Sequence, residues 1–282
     1  KLICLYDDNG ISIDGPVTGW FTDDTAARFE AYGWQVIRAV DGHDADAVSQ
    51  ALREAKGNLS QPTLICCKTT IGFGSPNKGG TAGSHGSPLG DDEIALTRAA
   101  LDWPHAPFVI PEALKNDWDA HASGTAAEAA WQQTFVAWSK ANPEKAAILA
   151  KAQKGDHGDV QSLLAAIPEF GKNSLATRVS GETCINAVAK ASPLVLSGSA
   201  DLHGSTKNYI KDAGDFDLAT PAGRNLYFGI REHVMGAILN GMAYHGIFKG
   251  SGATFLTFSD YLRPSIRVAA DGREGGSEAS AS

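Results

Sequence analysis

The sequence has no long apolar run, few cysteines and no excess of basic residues, and each absence excludes a class of protein. No apolar run approaches the roughly 20 residues that a membrane-spanning helix needs. The acidic residues number 32 against 24 basic ones, which gives a formal net charge of -8. Because the charges of both signs are interspersed, the chain is not built to follow a polyanion. We therefore expect neither a membrane nor a nucleic acid among its partners.

The four cysteines show no repeated CxxC spacing, and Cys66 and Cys67 lie in an apolar run that reads as a buried strand. This pattern predicts reduced thiols and a cytoplasmic location. The chain opens at Lys1 directly into a strand-like segment, without an initiator Met or a signal peptide, so we expect it to begin inside a domain. The composition of residues 271–282, DGREGGSEASAS, predicts a disordered tail.

Strands and helices alternate along the rest of the 282 residues, 43% of which are hydrophobic. This alternation is typical of parallel, doubly wound sheets in an α/β fold. The predicted strands are 2–6, 34–40, 62–69, 194–197, 226–229 and 253–258. The predicted helices are 22–32, capped by Thr22, then 44–56, 91–101, 177–191, 232–244 and 259–270.

Residues 104–172 have Ala-rich helical stretches and no convincing strand, which is typical of a helical linker between two domains. We therefore expect one α/β domain over 1–103, the linker over 104–172, and a second α/β domain over 173–270. Both domains are expected to be incomplete.

The first candidate motif, YDDNGISIDG, follows a predicted parallel strand, at the end where ligands of open α/β sheets bind. Asn9 offers a side-chain carbonyl and Ile11 a backbone carbonyl, and the permissive Gly10 between them would let both oxygens face one hard cation. The alternative is that the Asn-Gly pair only makes a turn.

A Gly-rich loop over residues 72–90 and a second strand end carry further candidates. The loop contains His85 among small residues, where a histidine is commonly a solvated bystander. Asp201 follows the predicted strand 194–197 in GSADLHGS, and an Asp there is commonly a turn former.

The segment FGIREHVMGAILNGMAYHG places Glu232 at the start of a helix among apolar residues. A carboxyl that is partly desolvated at this position suits proton exchange. The alternative is structural, because a Glu at the start of a helix usually only interacts favourably with the helix dipole. Arg178 suits phosphate through bidentate hydrogen bonds, or is a solvated helix-start residue. Phe255, Phe258 and Tyr261 recur at a spacing of three, which normally indicates core.

Together DDNGISIDG, SHGSPLG, GSADL, LATR, GIREH and GATFLTFSDY resemble the motifs of transketolases, over nearly all of residues 2–270. The resemblance implies two thiamine-diphosphate-binding domains, one for the diphosphate and one for the pyrimidine ring. It implies that Asn9 and Ile11 bind Mg²⁺ or Ca²⁺ and that Glu232 and His85 are catalytic. The implied cofactor contacts are Gly10, Ile11, His85, Asp201, Leu202, Glu232, Phe255, Phe258 and Tyr261. The implied substrate contacts are His85, Arg178 and Ser205.

The resemblance further implies transfer of a two-carbon ketol unit from a ketose phosphate to an aldose phosphate, through a thiamine-diphosphate carbanion. The implied substrates are of the xylulose 5-phosphate and ribose 5-phosphate class, as in the pentose phosphate pathway and the Calvin cycle. The implied assembly is a homodimer with the active site at the subunit interface.

Two alternatives remain among enzymes, dihydroxyacetone synthase and deoxyxylulose-phosphate synthase, which use the same thiamine-diphosphate chemistry. The alternative that is not an enzyme is a non-catalytic dimerising fragment. DDNGISIDG with SHGSPLG favours transketolase over deoxyxylulose-phosphate synthase. The family carries an Asp metal ligand upstream of Lys1 and further sequence after Ala270. We therefore expect the 282-residue chain to be inactive alone.

Overall fold

The computed structural model describes residues 2–172 and 174–275 and shows two compact units, which meet in the chain between Ala120 and His121. This division falls inside the predicted linker. Among the described residues, no helix is both long enough and apolar enough to cross a membrane.

The first unit is a parallel three-stranded sheet with helices on both faces. Its strands and helices are β1 (Ile3–Asp8), β2 (Ile11–Ser12), β3 (Gly15–Pro16), α1 (Thr25–Ala31), β4 (Gln35–Asp41), α2 (Ala45–Gly57), β5 (Thr63–Lys68), α3 (Asp91–Ala100) and α4 (Glu112–Trp118). The sheet order is β1-β5-β4, and β2 pairs with β3 in a separate hairpin that the sequence did not predict.

Strand β5 lies at the centre of this sheet because its residues are apolar on both faces. Ile65 and Cys67 pack with α2 on one face, whereas Leu64 and Cys66 pack with α1 on the other. Alternate side chains of a strand point to opposite faces, so a strand buried on both sides needs a continuous apolar run. The predicted doubly wound arrangement is confirmed in this unit.

The second unit repeats the same plan after three more helices. Its elements are α5 (His121–Ala141), α6 (Pro143–Ala152), α7 (Val160–Ala165), α8 (Thr177–Ala191), β6 (Val195–Ser199), α9 (His203–Thr206), β7 (Asn225–Tyr227), α10 (Glu232–His245), β8 (Lys249–Ala253) and α11 (Ser259–Gly275). The parallel sheet has the order β7-β6-β8. Every residue of the central strand β6 is buried.

Helices cover both faces of this second sheet. Val195 packs with Ala189 of α8 on one face. On the other face, Met235 of α10 packs with Ala200, which follows β6, and Phe228, which follows β7. The α/β class with parallel sheets in both units is therefore confirmed.

Three local predictions were wrong. Helix α1 is capped by the Asp24 side chain, which accepts from the Ala27 N–H, and not by Thr22. The predicted strand 253–258 is replaced by strand β8 just upstream and a 3₁₀ turn, Leu256–Phe258. Helix α11 continues five residues past Ala270, to Gly275. The rest of the predicted tail, 276–282, lies outside the described residues.

Candidate functional site

The Asn-Gly pair at the end of β1 forms a turn through its own side chain. The Asn9 Oδ1 atom accepts a hydrogen bond from the Ile11 N–H at 2.9 Å, and Gly10 has a φ of 70°. The Gly10 carbonyl accepts from the Val17 N–H at 3.0 Å, which starts the β2–β3 hairpin. The turn that the sequence offered as the alternative interpretation is therefore present.

The hairpin also directs the Ile11 carbonyl outward. Ile11 lies opposite Pro16, which has no N–H to donate, and the hydrogen bond between Gly10 and Val17 comes just before this pair. In an antiparallel ladder, the carbonyl of a pair that is not hydrogen-bonded points away from the partner strand. Since a side-chain carbonyl has two lone pairs, Asn9 keeps one for a further ligand. A turn and a cation site are thus compatible at this segment.

Within the described ranges, no cluster of three or more His, Cys, Asp or Glu side chains could hold a metal ion. A cation at Asn9 and Ile11 would depend on neutral carbonyl oxygens from this segment. Hard cations such as Mg²⁺ and Ca²⁺ accept carbonyl oxygens as ligands, together with carboxylates, water or phosphate oxygens.

The Gly-rich loop is tied to the first turn of α3 by a buried carboxylate. Glu93 is 7% exposed and accepts hydrogen bonds from the Ser75 hydroxyl, from the Asn77 N–H at 2.8 Å and from Asn77 Nδ2 at 2.8 Å. These bonds, the Ser75 hydroxyl first, lower the pKa of Glu93 from 4.5 to about 2. Lys78 closes the loop by donating from Nζ to the Leu89 carbonyl at 2.7 Å. The loop is therefore ordered without regular secondary structure.

His85 follows a 3₁₀ turn, Ala82–Ser84, inside this loop, and its side chain is exposed. Its backbone N–H donates to the Ala82 carbonyl at 3.0 Å. The backbone holds the residue in place while the imidazole stays accessible. This placement is suitable for the predicted contacts to diphosphate and sugar.

His43 was missed by the sequence reasoning, although it also shapes the loop. Its Nε2 atom accepts from the Thr70 N–H at 2.7 Å, and its ring stacks on Phe73 with centroids 3.8 Å apart. It therefore fixes the start of the loop just after β5. The signal was a histidine three residues after the predicted strand 34–40, in DGHD.

In the second unit, residues from three separate segments of the sequence line one cavity of about 640 Å³. The lining residues are Ala200, Asp201, Leu202, Ile230, Arg231, Glu232, His233, Phe258 and Tyr261. Five of the predicted cofactor contacts are thereby brought together. The cavity lies at the carboxyl ends of the strands, as expected for a ligand site in an α/β sheet.

Asp201 adopts a left-handed backbone conformation, with a φ of 61°, directly after β6. The turn is held by Ser199, whose Oγ atom accepts from the Leu202 N–H at 2.9 Å. Left-handed conformations of residues other than Gly are uncommon and persist where the surroundings enforce them. Here the turn directs Asp201 and Leu202 into the cavity.

Glu232 is the first residue of α10 and is 7% exposed. Its Oε1 atom lies 3.4 Å from the Thr254 hydroxyl. The helix dipole stabilises a carboxylate at this end, whereas burial removes it from water. The predicted acid therefore lies at the wall of the cavity in a partly dry environment.

A second cavity of about 690 Å³ contains the predicted phosphate-binding residues Arg178 and Ser205. Phe255 also lines this second cavity rather than the first, so the three aromatic residues do not share one cavity. The Phe258 ring is 6.1 Å from both Phe255 and Tyr261. Since Thr254 lines the second cavity and contacts Glu232 of the first, the two cavities adjoin.

Arg231 and His233 were missed as cavity residues because they flank Glu232 and drew no separate interpretation. Arg231 Nη1 donates to the Phe228 carbonyl at 2.9 Å. His233 Nδ1 lies 2.9 Å from Ser265 Oγ of α11. Ser265 lies beside His233 because α10 packs against α11. No local sequence pattern indicates this packing.

Comparison with known proteins identifies two family domains along the chain. Residues 1–158 match the family described as transketolase, thiamine diphosphate binding domain, and residues 173–276 match transketolase, pyrimidine binding domain. Transketolase 1 of Vibrio cholerae is 46% identical over 275 residues, which is 96% of this chain and 41% of that protein. The chain thus spans less than half the length of this relative.

Solved structures agree with the sequence comparison. A transketolase from Leishmania mexicana superposes with a TM-score of 0.86 at 34% identity, over 95% of this chain and 40% of the other. A Pichia stipitis transketolase mutant in complex with xylulose 5-phosphate superposes with a TM-score of 0.84 at 34% identity, over 94% of this chain and 40% of the other. The resemblance drawn from the motifs is confirmed, and the chain belongs to the transketolase family, with its thiamine diphosphate-binding and pyrimidine-binding domains.

Proposed function

We propose that the full-length protein carrying this chain is a transketolase, which moves a two-carbon ketol unit from a ketose phosphate to an aldose phosphate. The observation that carries this proposal is the cavity that joins Asp201, Leu202, Glu232, Phe258 and Tyr261. Each of these residues was predicted as a cofactor contact, and they come from three segments of the chain.

The cavity has the chemistry that an aminopyrimidine ring requires. Phe258 and Tyr261 offer aromatic faces to a flat ring, and such ring pairs favour offset or edge contacts. Glu232 offers a buried carboxyl to a ring nitrogen. When bound, thiamine diphosphate supplies a thiazolium carbon that stabilises negative charge on the substrate carbon.

The proposed role of Glu232 is to hold a proton at the ring nitrogen of the aminopyrimidine. A carboxyl within hydrogen-bond reach of that nitrogen shares its proton and so alters the basicity of the ring. Burial of Glu232 and its contact with Thr254 restrict the orientation of this group. The catalytic assignment of Glu232 rests on this geometry, and His85 is proposed as the second catalytic residue.

Arg178 and Ser205 in the adjoining cavity are proposed to bind the phosphate of the sugar. A guanidinium binds phosphate through paired hydrogen bonds, and a hydroxyl can add a further one. The complex of the Pichia stipitis relative with xylulose 5-phosphate supports this class of substrate. Such a substrate agrees with roles in the pentose phosphate pathway or the Calvin cycle.

In the first unit, Asn9 and Ile11 are proposed to bind Mg²⁺ or Ca²⁺, and Gly10 and His85 to contact the diphosphate. Residues 1–103 then form the diphosphate domain, 104–172 the linker and 173–270 the pyrimidine domain.

We infer a homodimer in which the diphosphate domain of one subunit faces the pyrimidine domain of the other. The four free cysteines fit the inferred cytoplasmic location.

A coupled assay of ketol transfer from xylulose 5-phosphate to ribose 5-phosphate tests the proposal on the full-length protein. Turnover that requires both thiamine diphosphate and a divalent cation is expected. A protein that binds thiamine diphosphate without any ketol transfer would overturn the assignment.

A further inference from the structure

The cavity that contains Glu232 offers hydrogen-bond acceptors from two carboxylates, Asp201 and Glu232. Arg231 is its cationic residue and donates a hydrogen bond from Nη1 to the Phe228 carbonyl. His233 is the remaining titratable side chain in the wall apart from the phenol of Tyr261. Whether its imidazole gives or accepts a hydrogen bond depends on which ring nitrogen carries the hydrogen.

Ser265 determines that tautomer. Its Oγ atom lies 2.9 Å from His233 Nδ1 and 3.0 Å from the His233 carbonyl oxygen, and the residue is 4% exposed. A hydroxyl has one hydrogen, and a carbonyl oxygen can only accept. Both contacts are hydrogen bonds only if Ser265 donates to the carbonyl and His233 Nδ1–H donates to Ser265. The neutral imidazole then has a free lone pair on Nε2.

The packing of α10 against α11 holds Ser265 in this position. A Cβ atom at Gly236 would lie 2.7 Å from Ser265 Cβ, so only glycine allows this approach of the two helices. Asn240 Nδ2 donates to the Ser265 carbonyl at 2.9 Å. Ser265 is thus fixed on both its side chain and its backbone, and the edge of the His233 ring that carries Nε2 is directed away from it.

We propose that His233 contacts the cofactor directly, with Nε2 accepting a hydrogen bond from an N–H group of the aminopyrimidine ring. The inference rests on the proposed function of this cavity. Acceptors from Asp201, Glu232 and His233 suit the two N–H bonds of the amino group and the N–H of a protonated ring nitrogen, which is the proton that Glu232 is proposed to hold there. Ser265 is the positioning residue that fixes the accepting tautomer.

Two substitutions separate this role from a structural one. In His233→Gln the amide lies near the position of Nε2, whereas in His233→Asn it lies near Nδ1, beside Ser265. Thiamine diphosphate is titrated calorimetrically into the full-length protein at saturating Mg²⁺. We expect His233→Gln to bind within about twofold of the wild type and His233→Asn to bind roughly 3- to 10-fold more weakly, as for one lost hydrogen bond. His245→Gln, at the exposed end of α10, is the matched control.

The opposite order, with Asn tolerated and Gln not, would overturn the proposal and leave His233 only its contact with Ser265. Equal binding by both variants would also overturn it, as would equal loss in both with unchanged melting temperatures. If the wild type itself fails to bind thiamine diphosphate, the proposed function fails instead, so the two failures are distinguishable.

Discussion

Glu232 and Asn9 place polar groups at the carboxyl ends of strands, and each also has a structural role in its own segment. Glu232 starts α10, and Asn9 closes the turn before the β2–β3 hairpin. A substitution at either position therefore tests a chemical role against a structural one. The choice of replacement decides which role is removed.

Glu232→Gln should lower ketol transfer by about 10²- to 10⁴-fold, which is typical for loss of a general acid or base. Gln retains the volume and a hydrogen bond but cannot share a proton. The melting temperature should change little, because Thr254 can still contact the amide. Near-native turnover in this variant would remove Glu232 from the mechanism.

Asn9→Leu should weaken Mg²⁺ and thiamine diphosphate binding together, because it deletes a side-chain carbonyl. It also deletes the 2.9 Å bond to the Ile11 N–H. Asn9→Asp is the control, since it keeps an acceptor for that bond and adds a carboxylate oxygen that hard cations prefer. Calorimetry should show weaker binding for Leu and retained binding for Asp. Unchanged Mg²⁺ affinity in Asn9→Leu would show that the Asn-Gly segment forms a turn and does not bind the metal.

At the residue scale, the motifs identified residues that the structure brings into one cavity, whereas contacts that depend on the packing of distant elements were not predicted. Asp201 and Glu232 were predicted from their motifs and lie in one cavity. The resemblance grouped Phe255 with Phe258 and Tyr261 as cofactor contacts, and the structure places Phe255, just before the 3₁₀ turn, in the adjoining cavity. The contact between His233 and Ser265 spans 32 residues of sequence and depends on the close approach at Gly236. No local pattern shows it.

At the scale of elements, central strands were predicted well because burial on both faces leaves a continuous apolar run, as in β5. Strand β8, Lys249–Ala253, carries four small residues after Lys249 and has no such run. Small residues suit the close packing here, since a Cβ at Gly252 would lie 2.5 Å from the Leu239 Cδ1 atom. The apolar run just after β8 was the reason that a strand was predicted over residues 253–258.

The Gly-rich loop should lose order in acid because of Glu93. Its folded-state pKa of about 2 lies below the ordinary value of 4.5, so the charged carboxylate stabilises the folded loop above about pH 4.5. This stabilisation is lost as the pH falls from 4.5 towards 2. Glu93→Gln should remove this stabilisation at neutral pH as well. The NH₂ group of the Gln side chain is a donor and cannot accept the hydrogen bonds that Asn77 donates to the carboxylate.

Hydrogen exchange of residues 71–90 measures this effect. Glu93→Gln should speed exchange in the loop at pH 7, whereas Asp92→Asn, the exposed neighbour on α3, should not. Exchange at wild-type rates in Glu93→Gln would show that the glycine turns alone order the loop.

The contact between α10 and α11 can be tested with two glycines on the same helix. Gly236→Ala places a methyl group 2.7 Å from Ser265 Cβ and should destabilise the fold by about 1–2 kcal/mol, after the gain in helix propensity. Gly241→Ala meets no atom within 4 Å and should stabilise by about 0.5–1 kcal/mol. Denaturant unfolding measures both. If Gly236→Ala is also stabilising, the helices are not tightly packed at this point.

At the scale of the whole molecule, the chain holds two parallel α/β sheets, each with predicted site residues at the carboxyl ends of its strands. The chain spans 41% of its Vibrio cholerae relative. The alternation of predicted strands and helices along the sequence predicted this architecture, since that alternation allows few other folds. The proposed sharing of one site by two subunits rests on the family resemblance, because composition and periodicity carry no information about an assembly.

Mixed dimers test the proposed shared site. Full-length Asn9→Leu and Glu232→Gln proteins are unfolded together, refolded and assayed for ketol transfer. If each site combines the first unit of one subunit with the second unit of its partner, every hybrid dimer has one intact site. Up to about a quarter of wild-type activity should then return, because half of randomly formed dimers are hybrids. Absence of recovery, with hybrids verified by mass, would place both residues of a site in one chain.

The most direct measurement is a crystal structure of the full-length protein with thiamine diphosphate and Mg²⁺. The pyrimidine ring should lie against Phe258 and Tyr261, with a ring nitrogen about 2.6–3.2 Å from the Glu232 carboxyl. A ring bound elsewhere, or a cavity filled by the protein's own side chains, would contradict the proposed cofactor site.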